Sequence, residues 1–276
     1  MQPGQPSRTA LGAAAHRAAH QLIEGGRVFA DPLAVSILGW PPEALQDKAA
    51  ADPSQRAMRL FIAARSRFAE EQLAAAVARG VRQYVVLGAG LDTFAHRNPF
   101  EAEGLEVFEV DHPLTQAWKR EQLTRAGLKS SSLVFAAVDF ERETLAQGLA
   151  AAGFDADRPA FFSWLGVILY LTREAVFETL AYVAARPPGS QIVFDYGEPV
   201  SSYPPDQRPF HQARLDRMAA LGEPWITRFE PEVLARDLGA LGFGEIEDLG
   251  PREIGRRFYG APGRDGPGGH LMRAAV

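Results

Sequence analysis

The chain has 276 residues, 46% of them hydrophobic and 23% charged, with a formal net charge of −5. That balance excludes a disordered or fibrous chain, and mild acidity without a basic block speaks against nucleic acid as the main partner, because phosphate binding needs clustered Lys and Arg. With no cysteine in the sequence, disulfides, thiolate metal sites and Cys nucleophiles are removed together.

The opening Met1-Gln-Pro-Gly-Gln-Pro-Ser7 holds no apolar leader. The longest apolar run, 160–171, falls short of the roughly 20 residues that a membrane span requires. The expectation is a cytoplasmic protein with no membrane segment. At this length a single core approaches its upper limit. One domain is therefore predicted, with a helical cap over about 1–79, a sheet core over about 80–196 and 230–276, and a lid over about 197–229.

Leu11, Ala14, Ala15, Ala18, Ala19 and Leu22 recur at helical spacing behind Thr9 as N-cap, predicting a helix over 9–22. His16 and His20 within it lack the Glu of a zinc motif, because Arg17 stands in that place. A longer helix over 56–79 carries the stripe Met58, Phe61, Ile62, Phe68, Ala69, Leu73, Ala76 and Val77, and Gly80 closes it. Arg65 falls on that stripe, where a charge needs a partner, whereas Arg67 points off it toward solvent.

Short apolar runs then alternate with amphipathic segments. Strands are predicted over 83–87, 105–110, 133–138, 160–165 and 191–195, with helices over 114–126 and 173–185 among them. Alternation of this kind predicts an α/β, doubly wound, Rossmann-like sheet. The Pro-rich stretch 197–225, with a helix over 210–221, is too long for a simple connection and reads as a lid. A helix over 232–241 and two strands over 245–249 and 270–275 close the chain as an antiparallel edge.

Ligands in such sheets sit at the carboxyl ends of the strands. At the first end, Leu87-Gly-Ala-Gly-Leu-Asp-Thr93 offers glycines that let a ligand approach the backbone, but Thr93 replaces the third glycine of a dinucleotide fingerprint. At the second, Asp111 can accept bonds from ribose hydroxyls or cap the helix that Pro113 opens. At the third, Asp139 and Phe140 suit the amine and the face of an adenine. Three adenosine-type features without a phosphate glycine point to S-adenosylmethionine rather than NAD. Tyr196 beyond the fifth strand and Tyr203 in the lid are candidate contacts for a small-molecule acceptor. His96 and His112 flank the proposed pocket, but no Asp–His or Lys base pair stands near the strand ends, and no catalytic residue is assigned.

Eight motifs occur in order: Thr9-Ala with Arg17-Ala, Phe29-Ala-Asp-Pro-Leu33, Ala64-Arg-Ser-Arg67, Leu87-Gly-Ala-Gly-Leu-Asp-Thr93, Glu109-Val-Asp-His-Pro113, Trp118-Lys-Arg120, Val138-Asp-Phe140, and Trp164-Leu-Gly-Val with Tyr170-Leu. In these the sequence resembles the leucine carboxyl methyltransferase family in its broad bacterial sense. The resemblance implies a class I methyltransferase fold that uses S-adenosylmethionine. It implies Gly88 against the methionine part of that cofactor, Asp111 on the ribose, Asp139 and Phe140 around the adenine, and Arg65, joined by Arg17, at the carboxylate. Leu165 stands where the eukaryotic branch has an acidic cofactor contact, which speaks against a protein-phosphatase C-terminus as substrate. The implied activity is O-methylation of a small, secondary-metabolite-like molecule. A carboxylate acceptor is favoured because it is already ionised and needs no base.

Overall fold

The computed structural model describes residues 8–140 and 142–276; the opening stretch 1–7, read above as lacking a leader, lies outside them. The chain forms two compact units, one ending at Phe161 and the other beginning at Phe162.

In the first unit, α1 (Arg8–Ile23) and two helices that the periodicity did not announce, α2 (Ala34–Leu38) and α3 (Pro42–Ala51), lead into α4 (Arg56–Ala78). Alanines at 14 and 18 let α1 pack closely on Ile37, Leu38 and Leu45, and Leu91 and Leu123 complete this small core. The expected stripe of α4 is buried at Ile62, Phe68, Leu73, Ala76 and Val77. The strands β1 (Gln83–Leu87), β2 (Glu106–Asp111) and β3 (Leu133–Ala137) pair in parallel, with Val85 opposite Phe108 and Phe108 opposite Val134. Helix α5 (Pro113–Arg125) starts with its Pro at the first turn and His112 as N-cap, and α6 (Leu145–Ala151) starts with a capping box between Thr144 and Gln147. A Cβ on Gly148 would meet Val138 Cγ2 at 2.2 Å, so only glycine lets α6 lie this close to the segment leading into Asp139.

The fourth strand, β4 (Ala160–Trp164), is buried along its whole length and contains the boundary between the units. In the second unit, α7 (Arg173–Ala184), capped by Thr172, precedes β5 (Gln191–Gly197). Then come α8 (Arg208–Ala220), α9 (Pro231–Leu241), β6 (Glu245–Leu249), the short α10 (Pro251–Ile254) and β7 (Gly269–Ala275). The strand order is β3-β2-β1-β4-β5-β7-β6. The antiparallel strand is β7, and it lies one place in from the edge, because both β5 and β6 pair with it. Among the described residues, no helix is long and apolar enough to cross a membrane.

Candidate functional site

The chain leaves β1 through two left-handed glycines, Gly88 at φ 65° and Gly90 at φ 49°. A side chain at either position would be strained. Gly88 is exposed, while Ala89 and Gly90 are buried. Asp111, at the end of β2, closes the turn: its Oδ2 accepts from the Gly90 N–H at 2.6 Å and its Oδ1 from the His112 N–H at 2.7 Å. Burial raises the Asp111 carboxyl above the usual carboxylate range, although these backbone bonds and Lys119 oppose the shift. Asp111 is thus a loop brace rather than the helix cap, a role taken by His112, whose Nδ1 accepts from the Leu114 N–H. A carboxylate has lone pairs beyond the two engaged here, so bonds to a ribose remain available.

A buried charge network holds this loop from below. The hydroxyl of Thr93, at the position where a fingerprint would have glycine, donates to Asp31, with both carboxylate oxygens at 2.8 Å. Asp31 is fully buried, receives Arg17 Nε at 3.2 Å, and lies 3.6 Å from Arg97 Nε. Arg97 grips Glu70 with two guanidinium nitrogens. Arg17 also donates to the carbonyl of Leu91, inside the loop itself. Burying such charges is tolerable only because each is paired and hydrogen-bonded. Sequence reasoning missed Asp31, Arg97 and Glu70. The available signal was an Asp set between apolar residues in Phe29-Ala-Asp-Pro-Leu33, and a Thr in a glycine position.

A second missed pair lies under the same strand end. Glu109 and Lys119 are both buried and form an ion pair. Burial pushes the Glu109 carboxyl up to about 7, partly offset by Lys119. In α4, the buried cation is Arg59, which holds Glu24 at 2.7 Å, while Arg65 is half-buried. Arg65 nevertheless contributes to a positive environment: burial, then the charges of Arg59, Arg65 and Lys48, push the His16 imidazole down to about 4. Arg67, expected in solvent, is half-buried and paired with Glu71 at 2.7 Å.

Asp139 and Phe140 follow β3 by two and three positions. Asp139 is half-buried and lies 3.4 Å from Arg142. Phe140 is 64% exposed, and Leu114, after the end of β2, is 38% exposed. Two large apolar side chains left open just past neighbouring strand ends are what an apolar ligand face would cover. An exposed glycine, a braced carboxylate and an open ring all fit an adenosine-bearing group. A cavity of about 500 Å³ lined by Trp40, Trp118, Gln122 and Arg125 shares no residue with this set.

The second unit treats its candidates differently. Tyr196 lies inside β5, not beyond it; it is 3% exposed, donates its hydroxyl to Asp248 at 2.5 Å and stacks on His270. Its side chain is committed to the unit's interior because β5 is buried on both faces. Tyr203 is 7% exposed and its ring lies against His211. Burial raises both phenols, so neither ionises near neutral pH. His96, weighed as a base, has both ring nitrogens buried, and burial lowers its pKa.

The model of the family described as leucine carboxyl methyltransferase matches residues 10–184. "Putative S-adenosyl-L-methionine-dependent methyltransferase YktD" of Bacillus subtilis (strain 168) is 36% identical over 200 residues, 71% of this chain and 65% of that protein. The chain thus spans just under two thirds of that relative. A protein of Mycobacterium avium (strain 104), also named "Putative S-adenosyl-L-methionine-dependent methyltransferase", is 30% identical over 260 residues, 88% of this chain and 80% of its own length. A solved DUF574-family protein from Streptomyces avermitilis MA-4680 superposes with a TM-score of 0.54 at 18% identity, covering 95% of this chain and 96% of that one, a likeness of fold.

Proposed function

The chain belongs to the leucine carboxyl methyltransferase family, and from that premise we propose that it is an S-adenosylmethionine-dependent methyltransferase acting on an oxygen, a carboxylate, of a small-molecule acceptor in the cytoplasm. The observation that carries the reading is the turn Gly88-Ala-Gly90, clamped by Asp111 at 2.6 Å and followed in the fold by the open ring of Phe140.

When bound, S-adenosylmethionine supplies a sulfonium methyl group, so the protein's task is alignment and exclusion of water. In this reading Gly88 lies against the methionine portion, Asp111 holds the ribose hydroxyls, Asp139 takes the adenine amine and Phe140 covers its ring. Arg65 pairs with the carboxylate, which Arg can hold through two parallel bonds. Arg17 supports that end indirectly, through its bond to the Leu91 carbonyl. A carboxylate acceptor is favoured over a hydroxyl because the histidines that could serve as base are otherwise placed: His96 has both ring nitrogens buried and His112 caps α5.

Calorimetry with S-adenosylmethionine and with NAD, followed by mass spectrometry of reactions with matched carboxylic acids and alcohols, tests the reading. Tight binding of S-adenosylmethionine and methyl esters of acids are expected. Tighter binding of NAD would sink the cofactor assignment. Methyl ethers alone would replace the carboxylate by a hydroxyl or phenol, and binding without any product would make the chain a regulatory S-adenosylmethionine-binding protein.

A further inference from the structure

The segment after β5 gathers cations that no carboxylate of the described residues pairs with. Trp225 has the guanidinium of Arg214 over its ring at 4.8 Å and that of Arg228 at 5.7 Å, while its own indole N–H donates to the Tyr170 hydroxyl at 3.3 Å. Arg228 Nη1 donates to the carbonyl of Glu198 at 3.2 Å, and its Nε is buried without a hydrogen-bond partner. Arg264, which donates to the Pro267 carbonyl, is close enough to act electrostatically on Arg214 and Tyr203. Among the described residues, none of these three arginines makes an ion pair. Glu198, whose carbonyl takes the Arg228 bond, has its own carboxylate engaged by His270 Nε2 and the Gly268 N–H, each at 3.0 Å.

Like charges brought together around an aromatic plate, with one nitrogen already stripped of water, cost free energy that an anion would relieve. Burial holds Arg228 below the usual arginine range, and repulsion from Arg214 adds to it. A planar carboxylate matches a guanidinium fork, and an attached ring matches the indole of Trp225. The bond to Glu198, one residue past the end of β5, sets the cluster at the carboxyl end of that strand, where ligands of such sheets bind.

We propose that Arg214, Arg228 and Trp225, with Tyr203 beside them, form a recognition site for an aromatic carboxylate carried by the acceptor. This rests on the methyltransferase reading above for its role. The carboxylate held there is a binding handle distinct from the oxygen that takes the methyl group, because a carboxylate gripped by two arginines is a poor nucleophile.

Fluorine NMR titration of the full chain with 4-fluorobenzoate and with the neutral isostere 4-fluorobenzamide tests it. The benzoate should bind about ten-fold more tightly than the amide, the worth of one charged hydrogen-bond pair. Arg214→Gln, at an exposed position on α8, and Arg228→Gln should each remove that preference and leave the amide unchanged. S-adenosylmethionine affinity should be unaltered in both. Equal binding of benzoate and amide, no benzoate binding, or wild-type preference in Arg214→Gln would overturn the site. Failure of S-adenosylmethionine to bind a chain that still discriminates the two probes would instead overturn the methyltransferase reading and leave the anion site standing.

Discussion

Arg17, Arg59 and Arg97, in the first compact unit, each meet a buried or half-buried carboxylate, whereas Arg214 and Arg228, in the second, meet a tryptophan ring and a backbone carbonyl. In the first unit charge is consumed internally, and the result is a fixed loop after β1. A buried ion pair adds little net stability, yet it is costly to break, so it specifies geometry more than it strengthens the fold. In the second unit Arg214 and Arg228 are left half-satisfied on a Pro-rich segment whose helix α8 buries no residue. That segment is tied down at its two ends: the Glu198 N–H donates to Gly268 where it leaves β5, and the Ile226 N–H donates to Leu169 and the Phe229 N–H to Gly197 where it returns. A rigid loop suits a cofactor that never varies, and a loosely held, cationic segment suits an acceptor that differs from enzyme to enzyme.

The contrast can be broken hardest at Asp31. Replacing Asp31 by Ala leaves Arg17 and Arg97 facing a void and frees Thr93, so unfolding in urea should show a loss of about 3–5 kcal/mol, with cofactor affinity falling as the loop loosens. An unchanged midpoint would mean that the loop is held by packing alone. Next comes Asp111→Asn, which keeps an oxygen for the Gly90 N–H but removes the charge. Calorimetry should show S-adenosylmethionine binding weakened by about 1.5–3 kcal/mol, and the His112 N–H, left facing an amide nitrogen, should cost the fold about 1–3 kcal/mol. Wild-type affinity would reduce Asp111 to a brace.

Arg65→Met sharpens the comparison from the other side, because Arg65 is half-buried where Arg59 on the same helix is buried. Cofactor affinity should fall about ten-fold, near 1.4 kcal/mol, with little change in stability. A large drop in melting temperature at constant affinity would make it a structural cation like Arg59. The smallest effect belongs to His270. Burial works against its protonation, but the bonds and charges of Asp248 and Glu198 outweigh burial and raise its pKa. The folded value exceeds the unfolded one, so its stabilisation is full below about pH 6.5 and is lost as pH rises through the folded value. The difference in unfolding free energy between wild type and His270→Gln should therefore shrink from mildly acidic to alkaline pH, and a difference that grows would reverse the assignment.

Much of the fold was legible locally. Period-two and period-3.6 patterns are properties of neighbouring residues, so β1, β6, α4 and α7 lie within about a residue of their expected bounds. The short helices α2, α3 and α6 escaped, because five to ten residues hold too few turns for a stripe to emerge. Candidate ligand positions at the ends of β1, β2 and β3 were readable because a parallel strand ends where its apolar run stops. What each side chain touches was not. Arg65 and Arg59 share a helix, and nothing within that helix says which of them meets Glu24, a residue 35 positions from Arg59.

By itself the sequence determined the family, the parallel α/β order of elements and the strand ends at which Gly88, Asp111, Asp139 and Phe140 stand. Only the tertiary structure decided that Thr93 is the donor to Asp31, that Tyr196 turns inward to Asp248, and that Arg214 and Arg228 share one tryptophan. The reason is physical. Local pattern records which face of an element is apolar, whereas the pairing of buried charges depends on chain segments far apart in sequence that only packing brings within hydrogen-bond reach.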